Sequence, residues 1–446
     1  VRVKSASSSF DLNNRIETIL LSLLLLFLPT QLGKHFWPDF SLVLGLRIDY
    51  LSPTLYLTDI LTVLLFMVYF VNRIRKHNTI HFSGVKHSLL FLLSSFVLSY
   101  LVLINAYSQN PLNAFIHLLK LLECIFLSYY IATSLSRKKA FEQLLVCLSL
   151  GALFSACLAI SQFLYQGSLG GLFYYVGERA FNAQTPGIAN ASINGELLLR
   201  PYGTFPHPNV LAGYLLGVFV LLLSAFSQVT SRQKKMLFGI TLLVGSSALL
   251  LTFSRIAIAL WLVVLFSSIL IACKNLFLRS SLFIGALLLG AVLVFFTPLG
   301  GRFMETRFTE ESVIQREQLM NASLQIIRSH PLGVGLGNFL PALSKLSADS
   351  YSSSFLQPVH NIFLLIAGEA GLFGFVCFIA MLFATYRNVF YNRNSRRLVA
   401  PGITLFLLLL IGLFDHYLLT VQQGQLFFAI IIGLCWTSLG KNNSSR

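Results

Sequence analysis

The chain is 446 residues long, 56% hydrophobic and only 11% charged, which excludes a soluble globular protein, because a surface with so few charges must largely face lipid. A formal net charge of +16 raises the question of nucleic acid, but the basic residues collect on loops between apolar runs, as the cytoplasmic side of a membrane requires. The six cysteines lie within apolar runs, without CxxC spacing or histidine neighbours, and read as packing residues.

Apolar runs of spanning length, with Leu and Phe on every helical face, predict about twelve membrane helices, roughly over 16–32, 54–71, 88–106, 112–134, 140–163, 208–228, 237–253, 256–273, 280–298, 360–385, 400–416 and 424–439. The first run follows Arg2, Lys4 and Arg15 and imitates a signal peptide, but without a clear cleavage site it reads as the first span. With the N-terminus inside, one set of connections holds 21 of the 32 Lys and Arg, including Arg73, Arg75, Lys76, Lys138, Lys234, Arg393 and Arg397. Short loops this basic are cytoplasmic, which makes both termini cytoplasmic. Lys120 and Glu123, three apart on one span, read as neutralising each other.

The opposite side carries two long segments, 164–207 and 299–358, and function is expected there and at the span ends beside them. A helix is expected over 311–328, with Val313, Arg316, Met320 and Ile327 on one face, stopped by Ser329, His330 and Pro331. An arginine on such a stripe either snorkels or pairs with an anion. The run GVGLG at 333–337 has no strand before it and no Lys-Ser/Thr after it, so it reads as a turn beside the site rather than a nucleotide loop.

Four clusters stand out on this side: RPYGTFPHPN at 200–209, TFSR at 252–255, Arg316 with 331–339, and His360-Asn361 followed by Gly371 and Gly374. Together they resemble the O-antigen ligase and O-antigen polymerase superfamily over about 200–416, best in the spacing from His360-Asn361 to Gly371 and Gly374. Arg255, Arg316 and Asp415, followed by His416, match the family pattern in order and approximate spacing. The resemblance implies an all-α, GT-C-like membrane glycosyltransferase of a bacterial inner membrane. Its donor would be an undecaprenyl-diphosphate-linked glycan and its acceptor a saccharide hydroxyl. Three regions follow from it: 1–199, the first five spans and first outer segment; 200–420, the ligase-like core including 299–358; and 421–446, the last span and a cytoplasmic tail.

The chemistry can also be argued from the residues. A diphosphate-linked sugar already has a leaving group, so transfer needs its charge held and the acceptor oriented and deprotonated. Arginine's planar fork suits the diphosphate, and His360 is the side chain whose ordinary pKa suits a base near neutrality. The expected catalytic residues are therefore His360, Arg255, Arg316 and Asp415, and the expected substrate-binding residues are Arg200, His207, Asn209 and Asn361. Each has a plainer reading: Arg255 and Arg200 as snorkelling side chains, His360 as a helix-start residue, and Gly368, Gly371 and Gly374 as a close-packing stripe. Glu369, on the opposite helical face from His360 and about 13 Å deeper, is expected to pack or hydrogen-bond. No DxD, HExxH or histidine cluster is present, so neither metal nor cofactor is expected. The rival reading, a flippase or transporter of lipid-linked sugars, predicts charges and broken helices in mid-membrane.

Overall fold

A computed structural model describes residues 6–43, 45–75, 85–135, 138–193, 196–272, 311–346 and 356–437. Its helices are α1 (Ala6–Phe27), α2 (Leu57–Arg75), α3 (Val85–Ala106), α4 (Pro111–Ser134), α5 (Lys138–Tyr165), α6 (Pro208–Phe226), α7 (Arg232–Leu251) and α8 (Arg255–Ala272). After these come α9 (Glu311–Ser329), α10 (Phe339–Leu346), α11 (Ile362–Glu369), α12 (Gly371–Tyr391), α13 (Arg396–Gly412), α14 (Tyr417–Thr420) and α15 (Gln422–Cys435). Among the described residues six helices, α2, α4, α5, α6, α7 and α12, are long and apolar enough to cross a membrane. The expected span 280–298 lies outside the described residues. Two other expected spans are altered. The stretch 360–385 is broken into α11 and α12, and the last span contracts to the 14 residues of α15, which rise only about 21 Å against a hydrocarbon core of about 30 Å.

Helix α6 forms the centre. Pro208 occupies its first turn, where the missing N–H costs nothing, and His207 caps it by accepting from the Asn209 N–H. Its all-round Leu, Val and Phe content is matched by burial on all sides: 78% of its apolar stretch is buried, against 17% for α12, whose outward Val376, Ile379 and Phe383 suit contact with lipid. Gly217 lets α6 approach Phe427 of α15, where any Cβ would clash with the ring. One apolar core runs from Leu21 through Leu211 and Leu216 to Cys435, so residues on both sides of positions 199 and 420 share it.

Lys120 of α4 pairs with Asp59 of α2 rather than with Glu123. Asp59 also accepts from Gln422 of α15 and from the Tyr56 N–H at 2.8 Å. A charge buried among helices needs such partners, and this one joins three elements that a reading along one helix cannot connect.

The described residues are mostly helical, as expected, and carry in addition three small two-stranded antiparallel sheets. Strands β1 (Gly33–His35) and β4 (Thr54–Tyr56) pair with Gly33 opposite Tyr56; between them lie β2 (Leu42–Val43) and β3 (Leu46–Arg47). The stretch between α1 and α2 is therefore a third structured connection, beyond the two long segments expected. In the 164–207 segment β5 (Asn190–Ile193) pairs with β6 (Glu196–Leu199) and delivers Arg200 at its end. Helix α9 coincides with the helix expected over 311–328, but its buried face is Leu319, Ala322, Ser323 and Ile326, packed against α10 and α11. Met320 is exposed and Arg316 is off the buried face, so the expected stripe is corrected by one helical register.

The α11–α12 break has a defined cause. Gly371 has φ +70° and Gly333 φ +93°, and a Cβ on either would strike the other's backbone stretch. The strap 331–337 threads this contact: Val334 N–H donates to Gly368 O (3.0 Å), Gly335 N–H to Glu369 O (3.0 Å), and Leu372 N–H to Pro331 O (2.9 Å). The carbonyls released where the helix stops are thereby satisfied. The Glu369 carboxyl lies near the backbone amides of Gly337 and Phe339, at the start of α10.

Candidate functional site

A cavity of about 1320 Å³ opens where the 28–56 connection, the 164–207 segment, α9 and the α13–α15 junction meet. Seven of the eight expected site residues line it: Arg200, His207, Asn209, Arg255, Arg316, His360 and Asp415. Asn361 does not. Its Oδ1 caps α11 by accepting from Phe363 N–H (2.9 Å) and Leu364 N–H (3.1 Å), and its Nδ2 donates to Leu413 O (3.3 Å). An Asn at this position is what a helix start in the chain calls for, and in this structure its amide serves as the α11 cap away from the cavity wall.

Arg200 begins a chain of hydrogen bonds that runs from a buried contact to half-buried ones at the cavity. Its Nε donates to Thr252 O (2.7 Å) and its Nη2 to Asn209 Oδ1 (2.7 Å). Asn209 Nδ2 in turn donates to Asp415 Oδ2 (3.0 Å), and the other carboxylate oxygen accepts the His416 N–H (2.8 Å). Thr252 lies in the turn between α7 and α8, where Phe253 takes φ +51°. A non-glycine residue held in that region marks a backbone fixed by its surroundings, and this turn sets Arg255 at the first position of α8, on the cavity wall.

The imidazoles form the second group. His416 is sandwiched between Tyr50 (ring centroids 5.3 Å apart, 82°) and His360 (5.0 Å, 69°), and its Nδ1 shares a 2.7 Å hydrogen bond with Thr420. Burial pushes His416 down to about 4, and burial with the neighbouring Arg200 charge pushes His207 down to about 3. His360 is lowered too, by burial first and by the Arg316 charge, with Asp415 opposing. At neutral pH all three are therefore uncharged, and His360 can accept a proton. Burial works to raise Asp415, but the imidazoles and the Asn209 bond outweigh it and hold the carboxyl below its ordinary value. Asn209 Nδ2 and the His416 N–H donate to the two carboxylate oxygens, contacts that favour the ionised form against burial. Among the described residues Asp415 makes no hydrogen bond to His360, whose Nδ1 is buried without a partner. Asp415 acts on that ring through its charge.

Reading along the sequence missed Tyr50, Tyr56 and Arg179, all on the cavity wall. Tyr50 and Tyr56 are both pushed up to about 12, mainly by burial, so they remain phenols. The signal available was thin: two tyrosines in a short connection and one arginine in a segment of irregular structure. Among the described residues no group of three or more His, Cys, Asp and Glu could hold a metal ion.

An assembly of apolar helices with a polar, arginine- and histidine-bearing cavity at one end defines a membrane protein with a site suited to an anionic ligand. Residues 240–379, less than half the chain, match the family model described as O-Antigen ligase, and over that stretch the chain is similar to the O-antigen ligase and polymerase superfamily. That family is one of membrane enzymes of polysaccharide and lipopolysaccharide assembly. The match covers Arg255, Arg316 and His360 and the glycine strap, and leaves Arg200, Asn209 and Asp415 outside it. Comparison with curated proteins found no match.

Proposed function

We propose that this chain is a bacterial inner-membrane glycosyltransferase, GT-C-like in arrangement. In this reading it moves a glycan from an undecaprenyl-diphosphate donor to a saccharide hydroxyl at the extracytoplasmic face, with both termini in the cytoplasm. The observation that carries the proposal is the convergence of Arg255, Arg316 and an uncharged His360 on one cavity. As the acceptor oxygen bonds to the sugar's anomeric carbon, the bond from that carbon to the diphosphate breaks. His360 receives the acceptor's proton, and Arg255 and Arg316 hold the negative charge that leaves with the lipid diphosphate. Arg200, already bonded to Thr252 and Asn209, positions Asp415 through Asn209, and Asp415 tunes the imidazoles. No step calls for a metal ion.

The transporter reading gains something from the α11–α12 break and the buried Lys120–Asp59 pair. The break, however, is filled by the 331–337 strap and the pair by Gln422, which is how structural features are satisfied. Purified protein in vesicles with a synthetic lipid-diphosphate oligosaccharide and a saccharide acceptor separates the two. Release of lipid diphosphate with glycan transfer, read by mass spectrometry, is expected; unchanged donor moved across the bilayer would overturn the enzyme reading.

A further inference from the structure

Arg179 sits on the cavity wall through a turn pinned on both sides. Gly177, with φ +97°, lies so close to Thr30 and Gln31 that a Cβ would meet the Gln31 nitrogen at 2.8 Å. Glu178, the next residue, is buried, and its carboxylate accepts from Gln162 Nε2 and from the N–H groups of Leu169 and Gly170, each at 2.8 Å. With Glu178 anchored inward, Arg179 is left exposed on the cavity wall. Among the described residues it has no ion-pair partner.

Arg316 lies near His360 and His416, and Arg179 lies near the hydroxyls of Tyr50, Tyr56 and Tyr202 on the cavity wall, with the Asp49 carboxylate beside Tyr50 and Tyr56 and the Arg200 guanidinium beside Tyr202. Tyr174 and Tyr175, on the turn just before, line the same wall and are largely exposed. The cavity exceeds the roughly 300–1,000 Å³ of ordinary small-ligand pockets, leaving room for several sugar units. Ring faces offer flat apolar surface to the C–H faces of a pyranose, and a guanidinium fork beside them matches a planar carboxylate.

We infer that Arg179 and the tyrosine wall form a second subsite, adjoining the imidazole group through Tyr50 and Tyr202, for a saccharide that carries carboxylates. The inference rests on the glycan-transfer reading for why a saccharide enters the cavity, so its test reads binding and not turnover. Full-length protein in nanodiscs is titrated calorimetrically with hexagalacturonate, an acidic probe, and with maltohexaose, a neutral one. The acidic probe should bind roughly tenfold tighter, the effect of one charge-assisted contact. Arg179→Gln should abolish the preference, Arg179→Lys should keep part of it, and Arg328→Gln, an exposed arginine outside the cavity, should leave it intact. Equal binding of the two probes, or a preference that survives Arg179→Gln in protein of unchanged thermal midpoint, would overturn the subsite. Preference without glycan transfer in the vesicle assay would remove the reaction and keep the subsite; transfer without preference would do the reverse.

Discussion

Replacing Asn209 with Ala should disconnect Arg200 from Asp415 without touching the cap of α6, because the bond to His207 Nδ1 comes from the Asn209 backbone N–H. Two hydrogen bonds to charged groups are lost, at 2.7 Å and 3.0 Å, each typically worth about 1.5–3 kcal/mol. Asp415 keeps the His416 N–H and Arg200 keeps Thr252 O, and both residues border a cavity that water can reach. The net cost should therefore fall near the lower end of the sum, about 2–4 kcal/mol. The glycan transfer rate should drop roughly tenfold or more as the carboxylate loses its fixed position. Asn209→Asp separates the two contacts: it keeps an acceptor for Arg200 but sets a second carboxylate against Asp415, so it should recover stability less than a purely steric argument allows. The assay is transfer rate and thermal midpoint in detergent for both variants. An Asn209→Ala protein with unchanged rate and midpoint would refute the idea that this relay positions Asp415.

Transfer should persist below pH 6.5, because His360 is lowered by burial and by Arg316. In the pH–rate profile Arg316→Gln should move the acid limb up and Asp415→Asn should move it down. In the same range the unfolded chain takes up protons that buried His207 and His416 refuse, so stability should fall as pH drops from about 6.5 towards the values near 3 and 4 of the folded state; a midpoint flat across that range would contradict their burial. Lysine should not rescue either Arg255 or Arg316, since it keeps the charge and loses the fork; each substitution should cost about 3 kcal/mol, on the order of a hundredfold in rate, and near-normal Lys variants would reduce these residues to point charges. Activity should survive EDTA, and loss restored by a divalent ion would turn attention to Asp49 on the cavity wall.

The helices were legible because lipid imposes one rule along the whole chain, and the span ends pointed to the cavity because arginine and histidine are unusual there. Contacts across large sequence distance were not legible. Lys120 has a plausible partner three residues away in Glu123, yet its ion pair is with Asp59, 61 positions earlier. On α9 the choice between Met320 and Leu319 as the inward residue is a matter of one position, which hydropathy alone does not decide and packing against α10 and α11 does. Asn361 illustrates a third difficulty. It sits beside His360 within a family-like motif, but its amide serves the backbone of α11, and the same local signal marks a cap and a ligand. Tyr50 and Arg179 were out of reach because what makes them site residues is the folding of two irregular connections over one cavity.

The central claim, that this cavity transfers glycan with His360 as the base, is tested most directly by His360→Ala. Donor binding and transfer are measured on the same preparation, after its thermal midpoint is matched to that of the unaltered protein. The account predicts that the variant binds the lipid-diphosphate oligosaccharide nearly as the unaltered protein does and forms no transfer product detectable by mass spectrometry. Transfer at close to the normal rate by a stable His360→Ala protein would contradict it, leaving the arginines and substrate alignment as the whole catalytic apparatus.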